Sequence, residues 1–185
     1  MKQQKSKLVL NFRAPGERIK GTIRYGFGEA MGGQLLIAQS DGGVCAVLLG
    51  DTRDELVVEL AESFPGATVS LDQVALSDTI EKVEGYVEGK ADAGVIELDI
   101  GGSAFQQNVW RSLLAIPPGE TRSYREVAAS VGNPQSVRAV GSACGANVLA
   151  VAIPCHRVVR GDGALSGYRW GVKRKKNLLD RERVQ

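Results

Sequence analysis

The apolar pattern of this chain changes at Gly101-Gly102, and that change is the strongest constraint on its fold. Before the glycine pair, short apolar runs alternate with turn residues, which is typical of β-strands. After it, apolar residues recur at helical spacing behind helix-capping side chains. At 185 residues the chain is long enough for two small hydrophobic cores. The sequence therefore predicts an α+β fold with two domains, residues 1–100 and residues 101–185.

The first predicted domain has a strand-rich pattern. Three apolar runs separated by turn residues predict a small antiparallel sheet, formed by residues 22–27, 33–38 and 44–49. Capping residues and helical spacing predict two helices and a further strand, at 51–63 with Asp51 as the N-cap, at 72–87 and at 95–100. This order of elements is typical of an α/β domain.

The second predicted domain carries clear helix-start signals. In a capping box a serine side chain accepts from the backbone N–H three residues on, and a Glu or Gln there reaches back. Two such boxes are present, Ser103 with Gln106 and Ser123 with Glu126. The turn residues 132–134 separate the helix after Ser123 from a further helix predicted at 135–144. Two short helices joined by a glycine-containing turn predict a helix-turn-helix.

The helix predicted at 135–144 is unusual in composition. Arg138 is its one long cationic side chain, and most other positions hold small residues: Ser136, Ala139, Gly141, Ser142, Ala143 and, just beyond, Gly145. Small residues let a helix backbone approach a partner such as DNA closely, and they are equally suited to a helix packed inside the protein. Composition alone leaves both interpretations open.

The net charge of +2 conceals a division between the two halves. Residues 1–100 carry 10 Lys and Arg against 16 Asp and Glu, a net of −6, and residues 101–185 carry 13 against 5, a net of +8. A basic segment with helix-turn-helix signals favours nucleic-acid binding, because Lys and Arg displace the counterions condensed on phosphates. A basic surface that only keeps the protein dissolved explains this asymmetry less well.

The only histidine of the chain, His156, directly follows Cys155. A thiol needs a neighbouring base to become the reactive thiolate, whereas a free cysteine in an apolar stretch is usually an inert core residue. Pro154 stiffens the approach to the pair, and the positive charges of Arg157 and Arg160 are expected to lower the pKa of the thiol. We therefore interpret Cys155 as a reactive thiol at the edge of a cavity.

Several functional classes are excluded by simple counts. No run of about 18 apolar residues is present, so we expect no membrane span, and the opening MKQQKSKLVLNF lacks the apolar core of a secretory signal. The three cysteines, at wide spacing, favour a reducing compartment and a cytoplasmic location. With one histidine and no Cys-x-x-Cys, we expect no metal site and no cofactor.

Several segments of the chain together resemble the O6-alkylguanine-DNA alkyltransferases. They are SYREVA at 123–128, GNP at 132–134, RAVG at 138–141, Asn147, and IPCHRVV at 153–159, whose Pro-Cys-His-Arg signature is highly specific. The strands around 24–25 and 44–46 are most similar to the alkyltransferase half of bacterial Ada proteins. The resemblance spans nearly the whole chain. It implies an N-terminal ribonuclease-H-like α/β domain and a mostly helical C-terminal winged helix-turn-helix domain that holds the site.

The same resemblance implies a set of catalytic residues. Cys155 would be the alkyl acceptor, His156 its base acting through a water, and Glu182 the carboxylate that orients the imidazole. Glu182 is expected to follow a helical stretch at 173–179, and a third group of this kind is what a thiol and its base require. Asn147 would hold the turn that carries the cysteine. Tyr124 would rotate the flanking phosphate and donate a proton toward the departing guanine.

The implied partner is double-stranded DNA that contains alkylated bases, bound through its minor groove. Arg138 would occupy the stack left by the extruded nucleotide, which offsets the few kcal/mol that base flipping costs. The other residues expected to contact DNA are Tyr124, Ser136, Ala139, Gly141, Ser142 and Arg157. We expect no membrane partner and a monomeric protein.

The implied substrate pocket is lined by Tyr168, Arg169 and Lys175. Position 169 departs from some members of the family, which have serine there. With Arg169 in its place, a contact to the guanine oxygen would depend on a backbone N–H, and bulky alkyl groups would fit the pocket less readily.

The implied function is direct reversal of DNA damage by irreversible transfer of an alkyl group, chiefly methyl, from O6-alkylguanine to Cys155, with O4-alkylthymine as a second candidate substrate. The product thioether has no carbonyl for water to attack, so we expect a single turnover. Two alternatives stay open from the residues: a DNA-lesion-binding protein without chemistry, and a cysteine hydrolase. The hydrolase is disfavoured because its histidine is usually remote in sequence from the nucleophile.

Overall fold

The strand-like runs of the first half belong to one six-stranded sheet in the computed structural model, which describes residues 7–165 and 167–184. The strands are β1 Lys7–Phe12, β2 Gly21–Ala30, β3 Gly33–Ser40, β4 Gly43–Gly50, β5 Ala67–Leu71 and β6 Val95–Ile100. They lie in the order β1-β6-β4-β3-β2-β5. Only the β2-β3-β4 meander is antiparallel, and the other neighbours pair in parallel. The expected small antiparallel sheet is therefore part of a larger mixed sheet.

The sequence did not predict β1 and β5, and their position explains why. Both are edge strands with few buried residues, so neither shows the continuous apolar run of an interior strand. By contrast, residues 35–38 of β3 and 44–49 of β4 are all buried and form the core of this sheet. Gly43 starts β4 with a φ of 128°, and a Cβ there would lie 2.6 Å from the carbonyl oxygen of Glu97, so only glycine fits.

Two helices accompany the sheet, α1 Arg53–Ser63 and α2 Ser77–Val87. The N-cap of α1 is Thr52, whose side chain accepts from the Glu55 N–H, and not Asp51 as the sequence predicted. The start of α2 is also later than the predicted residue 72. Asp72 caps a turn there, since its carboxylate accepts from the Ala75 N–H, and the helix begins only beyond that turn.

The chain divides between Gly101 and Gly102 into two compact units. The second unit is mostly helical, with α3 Ala104–Leu114, α4 Tyr124–Ser130, α5 Val137–Gly145 and α6 Val172–Arg183. A 3₁₀ turn, Cys155–Arg157, and two short parallel strands, β7 Arg122–Ser123 and β8 Val158–Val159, complete it. With α1 and α2, the described part of the chain holds six α-helices and one large sheet, a mixed α/β architecture.

The local helix signals of the second half are confirmed. Both capping boxes are formed, at Ser103 for α3 and at Ser123 for α4. Two boundaries differ from the prediction. α5 begins at Val137 rather than 135, since Ser136 makes no side-chain cap bond. α6 continues to Arg183, so Glu182 lies within this helix and not after it.

The helices α3, α4 and α5 pack on one another, and the 3₁₀ turn packs against α3 and α6. Trp110 of α3 fixes part of this arrangement, because its indole N–H donates to the Ala143 carbonyl of α5 at 3.0 Å. The 3₁₀ turn that begins at Cys155 thus contacts α3 and α6, two helices that are far apart in sequence. None of the helices in the described residues is both long and apolar enough to cross a bilayer.

Candidate active site

Asn147 organises the turn that leads to the cysteine. Its side-chain amide donates to the Ile153 carbonyl at 2.9 Å and to the Cys155 Sγ at 3.2 Å, while its oxygen accepts from the Leu149 N–H at 2.8 Å. Val151 in this turn has a φ of 65°, which for a β-branched residue costs on the order of 1–3 kcal/mol. The surrounding bonds therefore hold a strained segment that places the thiol.

The thiol of Cys155 is almost fully enclosed, with 3% of the residue exposed. Burial raises the pKa of Cys155, and this effect outweighs the hydrogen bond from Asn147 and the charge of Lys175, which lower it. Arg157 and Arg160 are not among the groups that act on this pKa. The expectation that these two arginines lower it was therefore wrong, because burial dominates and their charges are directed elsewhere. In the protein alone Cys155 is a neutral thiol at neutral pH.

His156 and Glu182 form the hydrogen bond that the family resemblance implies. The imidazole Nε2 lies 2.7 Å from Glu182 Oε1, and His156 is fully buried. Burial alone raises the pKa of Glu182, but the hydrogen bonds from His156 and Arg157 outweigh it and hold the pKa at about 2. The carboxylate is therefore ionised and can only accept, so Nε2 carries the proton.

The protonation state of His156 follows from its surroundings. Burial lowers the pKa of His156, while the hydrogen bond and charge of Glu182 raise it less strongly. The imidazole is therefore neutral at neutral pH. Because Nε2 donates to Glu182, the unprotonated nitrogen is Nδ1, which meets no hydrogen-bonding group of the described residues. This tautomer leaves Nδ1 able to accept a proton.

Glu182 also makes the second unit sensitive to acid, which gives a first prediction. A carboxylate whose pKa is depressed in the folded state contributes stability above its unfolded pKa and loses it as pH falls toward the folded pKa. For Glu182 the window is from the ordinary value of 4.5 down to about 2. We expect the free energy of unfolding to lose on the order of 3 kcal/mol across it from this residue.

Urea unfolding at a series of pH values, compared between the wild type and Glu182→Gln, measures this contribution. Both tryptophans, Trp110 and Trp170, belong to the second unit, so their fluorescence reports on it. The stability gap between the two proteins should narrow from pH 5 to pH 2. A gap that stays constant with pH would contradict the depressed pKa.

A pocket of about 480 Å³ opens beside the thiol. It is lined by Tyr124, Val137, Arg138, Gly141, Cys144, Gly145, Cys155, Gly167, Tyr168 and Arg169. Tyr168 packs edge-on against Trp170 with ring centroids 5.3 Å apart. Arg169 donates to the Gly145 carbonyl at 2.9 Å across this lining. The volume is within the range of pockets that hold small organic groups.

The structure brings together most of the residues that the sequence singled out. Cys155, Tyr168, Arg169, Tyr124 and Arg138 share the pocket, Asn147 bonds to the thiol, and His156 follows Cys155 in the 3₁₀ turn. On α5, Arg138, Ala139 and Ser142 are exposed and Gly141 is partly exposed, as is Ser136 just before the helix. This helix contributes Arg138, Gly141 and Gly145 to the lining of the pocket.

Lys175 and Arg157 do not lie where the sequence placed them. Lys175 is fully buried and its ammonium donates to the Val158 carbonyl at 2.5 Å, so it does not line the pocket. Arg157 is not a surface cation for DNA, since its guanidinium bonds to Glu182 and to the Ile116 carbonyl inside the unit. In both cases a charged residue is buried on an internal partner, which sequence alone does not reveal.

Three contributions to the site were missed. Cys144 is buried and also lines the pocket, and burial raises its pKa to about 12. The Ile116 carbonyl and the Gly119 N–H hold the Arg157 and Glu182 side chains. These are backbone groups, which carry no residue signal.

Within residues 7–165 and 167–184, no group of three or more His, Cys, Asp or Glu side chains is arranged to hold a metal ion.

Comparison with known proteins places this site in a family. The model of the 6-O-methylguanine DNA methyltransferase DNA-binding domain matches residues 104–184. The regulatory protein Ada of Salmonella typhimurium is 48% identical over 171 residues, which cover 92% of this chain and 48% of that protein. The methylated-DNA–protein-cysteine methyltransferase of Mycobacterium tuberculosis is 46% identical over 112 residues, covering 60% of this chain and 68% of that protein.

Solved structures agree with these matches. The O6-methylguanine methyltransferase of Mycobacterium tuberculosis superposes with a TM-score of 0.70 at 34% identity, covering 88% of this chain and 93% of that one. OGT of Mycobacterium tuberculosis in complex with DNA gives 0.68 at 34% identity, with 87% and 93% covered. The chain spans about half the length of the Ada proteins it matches. It belongs to the family of O6-alkylguanine-DNA alkyltransferases, the methylated-DNA–protein-cysteine methyltransferases.

Proposed function

We propose that this protein repairs alkylated DNA by direct reversal, moving an alkyl group, chiefly methyl, from O6 of guanine to Cys155. One observation carries the proposal. The Cys155 thiol borders a pocket of about 480 Å³, accepts a hydrogen bond from Asn147, and is followed in the chain by a neutral His156 whose Nε2 is fixed by Glu182. A thiol, a base and an orienting carboxylate are the parts that nucleophilic displacement requires.

The reaction is a single displacement that balances without a cofactor. The Cys155 sulfur forms a bond to the alkyl carbon while the bond from that carbon to guanine O6 breaks. The thiol proton leaves to His156 through a water, and one proton is returned to the guanine ring, which restores the normal base. Because the pKa of Cys155 is raised, proton removal by the base is a necessary part of the attack.

The product explains why the protein would act once. A thioether lacks the carbonyl that lets water release an acyl group from a thioester, so Cys155 stays alkylated. Each chain therefore repairs one base. O4-alkylthymine presents the same kind of alkyl–oxygen bond and is a second candidate substrate.

Binding of double-stranded DNA is assigned to α5, which would enter the minor groove. Its small exposed residues allow close approach, and Arg138 at the pocket rim would fill the stack that the flipped nucleotide leaves. Tyr124 lines the same pocket and would act on the flanking phosphate and donate toward the leaving guanine. The family match over residues 104–184 and the DNA complex of the related OGT support this assignment.

Each of the two units would have its own domain type. The first unit would be a ribonuclease-H-like domain, a type that agrees with a mixed sheet accompanied by helices. The second would be a winged helix-turn-helix domain, in which α4 and α5 are the paired helices and β7 and β8 belong to the wing. A monomer in the cytoplasm is the setting in which this activity would operate.

A stoichiometric titration tests the function. Increasing protein is incubated with a duplex oligonucleotide that contains one O6-methylguanine, and the repaired strand is quantified by a restriction site that the methyl group blocks. We expect repaired DNA to rise linearly and to plateau at one base per chain without further turnover. Continued turnover, or binding without repair, would overturn the proposal, and the second outcome would favour a lesion-binding protein.

A further inference from the structure

The arginine that follows the catalytic pair is bound to the carboxylate that orients the imidazole. Arg157 Nη2 donates to Glu182 Oε1 at 2.8 Å, and Nε donates to Oε2 at 3.0 Å and to Oε1 at 3.2 Å. Two parallel N–H to oxygen bonds of this kind fix the plane of a carboxylate as well as its position. The plane of Glu182 is therefore set by Arg157.

Arg157 is itself anchored at a second point. Its Nη1 donates to the Ile116 carbonyl at 2.6 Å, just beyond the end of α3. Glu182 Oε2 also accepts from the Gly119 N–H at 3.3 Å. The guanidinium thus connects the 3₁₀ turn, the end of α3 and α6. With 11% of the Arg157 side chain and 12% of the Glu182 side chain exposed, water competes little for these bonds.

We propose that Arg157 is a positioning residue for alkyl transfer, whose guanidinium holds the Glu182 carboxylate so that Oε1 accepts the proton of His156 Nε2. The inference rests on the proposed function and adds a residue that acts through Glu182 without touching substrate. Oε1 is shared between His156 and Arg157, so any rotation of the carboxylate would lengthen the bond to the imidazole.

The charged surroundings of the carboxylate define what loss of Arg157 would do. Glu182 is affected by His156 and Arg157 from the 3₁₀ turn, and it acts in turn on Tyr168 from the segment before α6. On its own helix, the buried Lys175 acts on His156. Without Arg157, the partly buried Glu182 would keep one fewer cation and fewer donors, so its pKa would rise. The pKa of His156 depends more on its bond to Glu182, which raises it, than on the charge of Arg157, which lowers it.

The change at Glu182 moves the acid limit of the reaction. Transfer requires an ionised Glu182 behind His156, and without Arg157 this carboxylate would protonate at a higher pH. The acid limb of the rate profile should therefore shift to higher pH when Arg157 is lost. A residue that served only to stabilise the fold would lower the rate equally at all pH values in folded protein.

The experiment compares Arg157→Gln, Arg157→Lys and a control, Arg183→Gln, with the wild type. Arg183 is on the same helix as Glu182, is exposed, and its nearest acidic partner, Asp180, lies 4.0 Å away. Single-turnover transfer from O6-methylguanine duplex is measured at saturating DNA across pH, together with DNA affinity at several salt concentrations. We expect Arg157→Gln to slow transfer about 10- to 100-fold, as for other groups that orient a functional histidine.

Lysine keeps the positive charge but lacks the planar guanidinium with its parallel N–H donors. Arg157→Lys should therefore recover part of the transfer rate and keep the acid limb closer to that of the wild type. The control should match the wild type, and DNA affinity should be unchanged in all variants. If Arg157→Gln weakens DNA binding and lowers the salt slope by about 1, Arg157 is a phosphate contact and the inference fails.

An unchanged rate, or a uniform loss without a shift of the acid limb, also overturns it. Arg157→Lys preserves the buried charge and keeps the test decisive if Arg157→Gln does not fold. A wild-type protein that transfers no alkyl group would instead overturn the proposed function, and the inference with it.

Discussion

Replacement of Cys155 by alanine is expected to abolish alkyl transfer while DNA binding persists. Of the two thiols that line the pocket, Cys155 is the one followed in the chain by the histidine, and burial raises the pKa of the other, Cys144, to about 12. The turn should keep its shape, since Asn147 retains its bonds to Ile153 and Leu149. Transfer is measured from repaired DNA, and affinity from fluorescence anisotropy with an O6-methylguanine duplex.

A second thiol provides the matched control. Cys45 is a buried cysteine of the sheet in the first unit, and its thiol lies 3.5 Å from the Ala38 carbonyl. Cys45→Ala should repair one base per chain, as the wild type does. Repair by Cys155→Ala at the wild-type level would mean that another group accepts the alkyl group. That result would contradict the assignment of the nucleophile.

Replacement of His156 by phenylalanine is expected to reduce the single-turnover rate by about 10²- to 10⁴-fold, the usual contribution of a general base. The reduction should be large because the pKa of Cys155 is raised, so the thiol forms little thiolate unaided. Glu182 should stay in place, since Arg157 and Gly119 still hold it. Phenylalanine is similar in size to histidine and suits a fully buried position.

The pH dependence distinguishes loss of the base from general damage to the site. In the wild type the imidazole removes the proton, whereas in His156→Phe the thiolate must form by direct ionisation. The variant rate should therefore climb with rising pH in the range where the wild-type rate is level. A variant with the rate and pH profile of the wild type would exclude His156 as the base.

Features with local causes could be predicted from the sequence. Both capping boxes formed as expected, because each depends on two side chains three residues apart. The turn residues 132–134 separate α4 from α5, as expected from their glycine and proline. The β2-β3-β4 meander was also anticipated, since adjacent strands and short turns bring neighbours in sequence together.

Features that depend on remote partners could not be predicted in this way. The edge strands β1 and β5 pair in parallel with strands distant in sequence, and their exposure hides the apolar pattern. Arg157 was expected among the DNA contacts, yet its guanidinium bonds to a carboxylate of its own unit. Its partner, Glu182, is 25 residues away and is brought near only by the path of α6.

The protonation state of the Cys155 thiol could not be predicted from the sequence either. Neighbouring cations in the sequence suggested a lowered pKa, yet Cys155 is enclosed on all but 3% of its surface. Burial is a property of the whole fold, and here it outweighs the hydrogen bond and charges that favour ionisation. The residues of the site were identified from the resemblance of motifs, but their protonation states could be assigned only from the structure.

The position of the transferred alkyl group on the protein identifies the nucleophile. The wild type is incubated with duplex DNA carrying O6-methylguanine, digested, and analysed by tandem mass spectrometry, with undamaged duplex as the control. The account predicts one methyl group per chain, on the sulfur of Cys155 alone. A methyl group on Cys45 or Cys144, or repaired DNA with no modified cysteine, would contradict it.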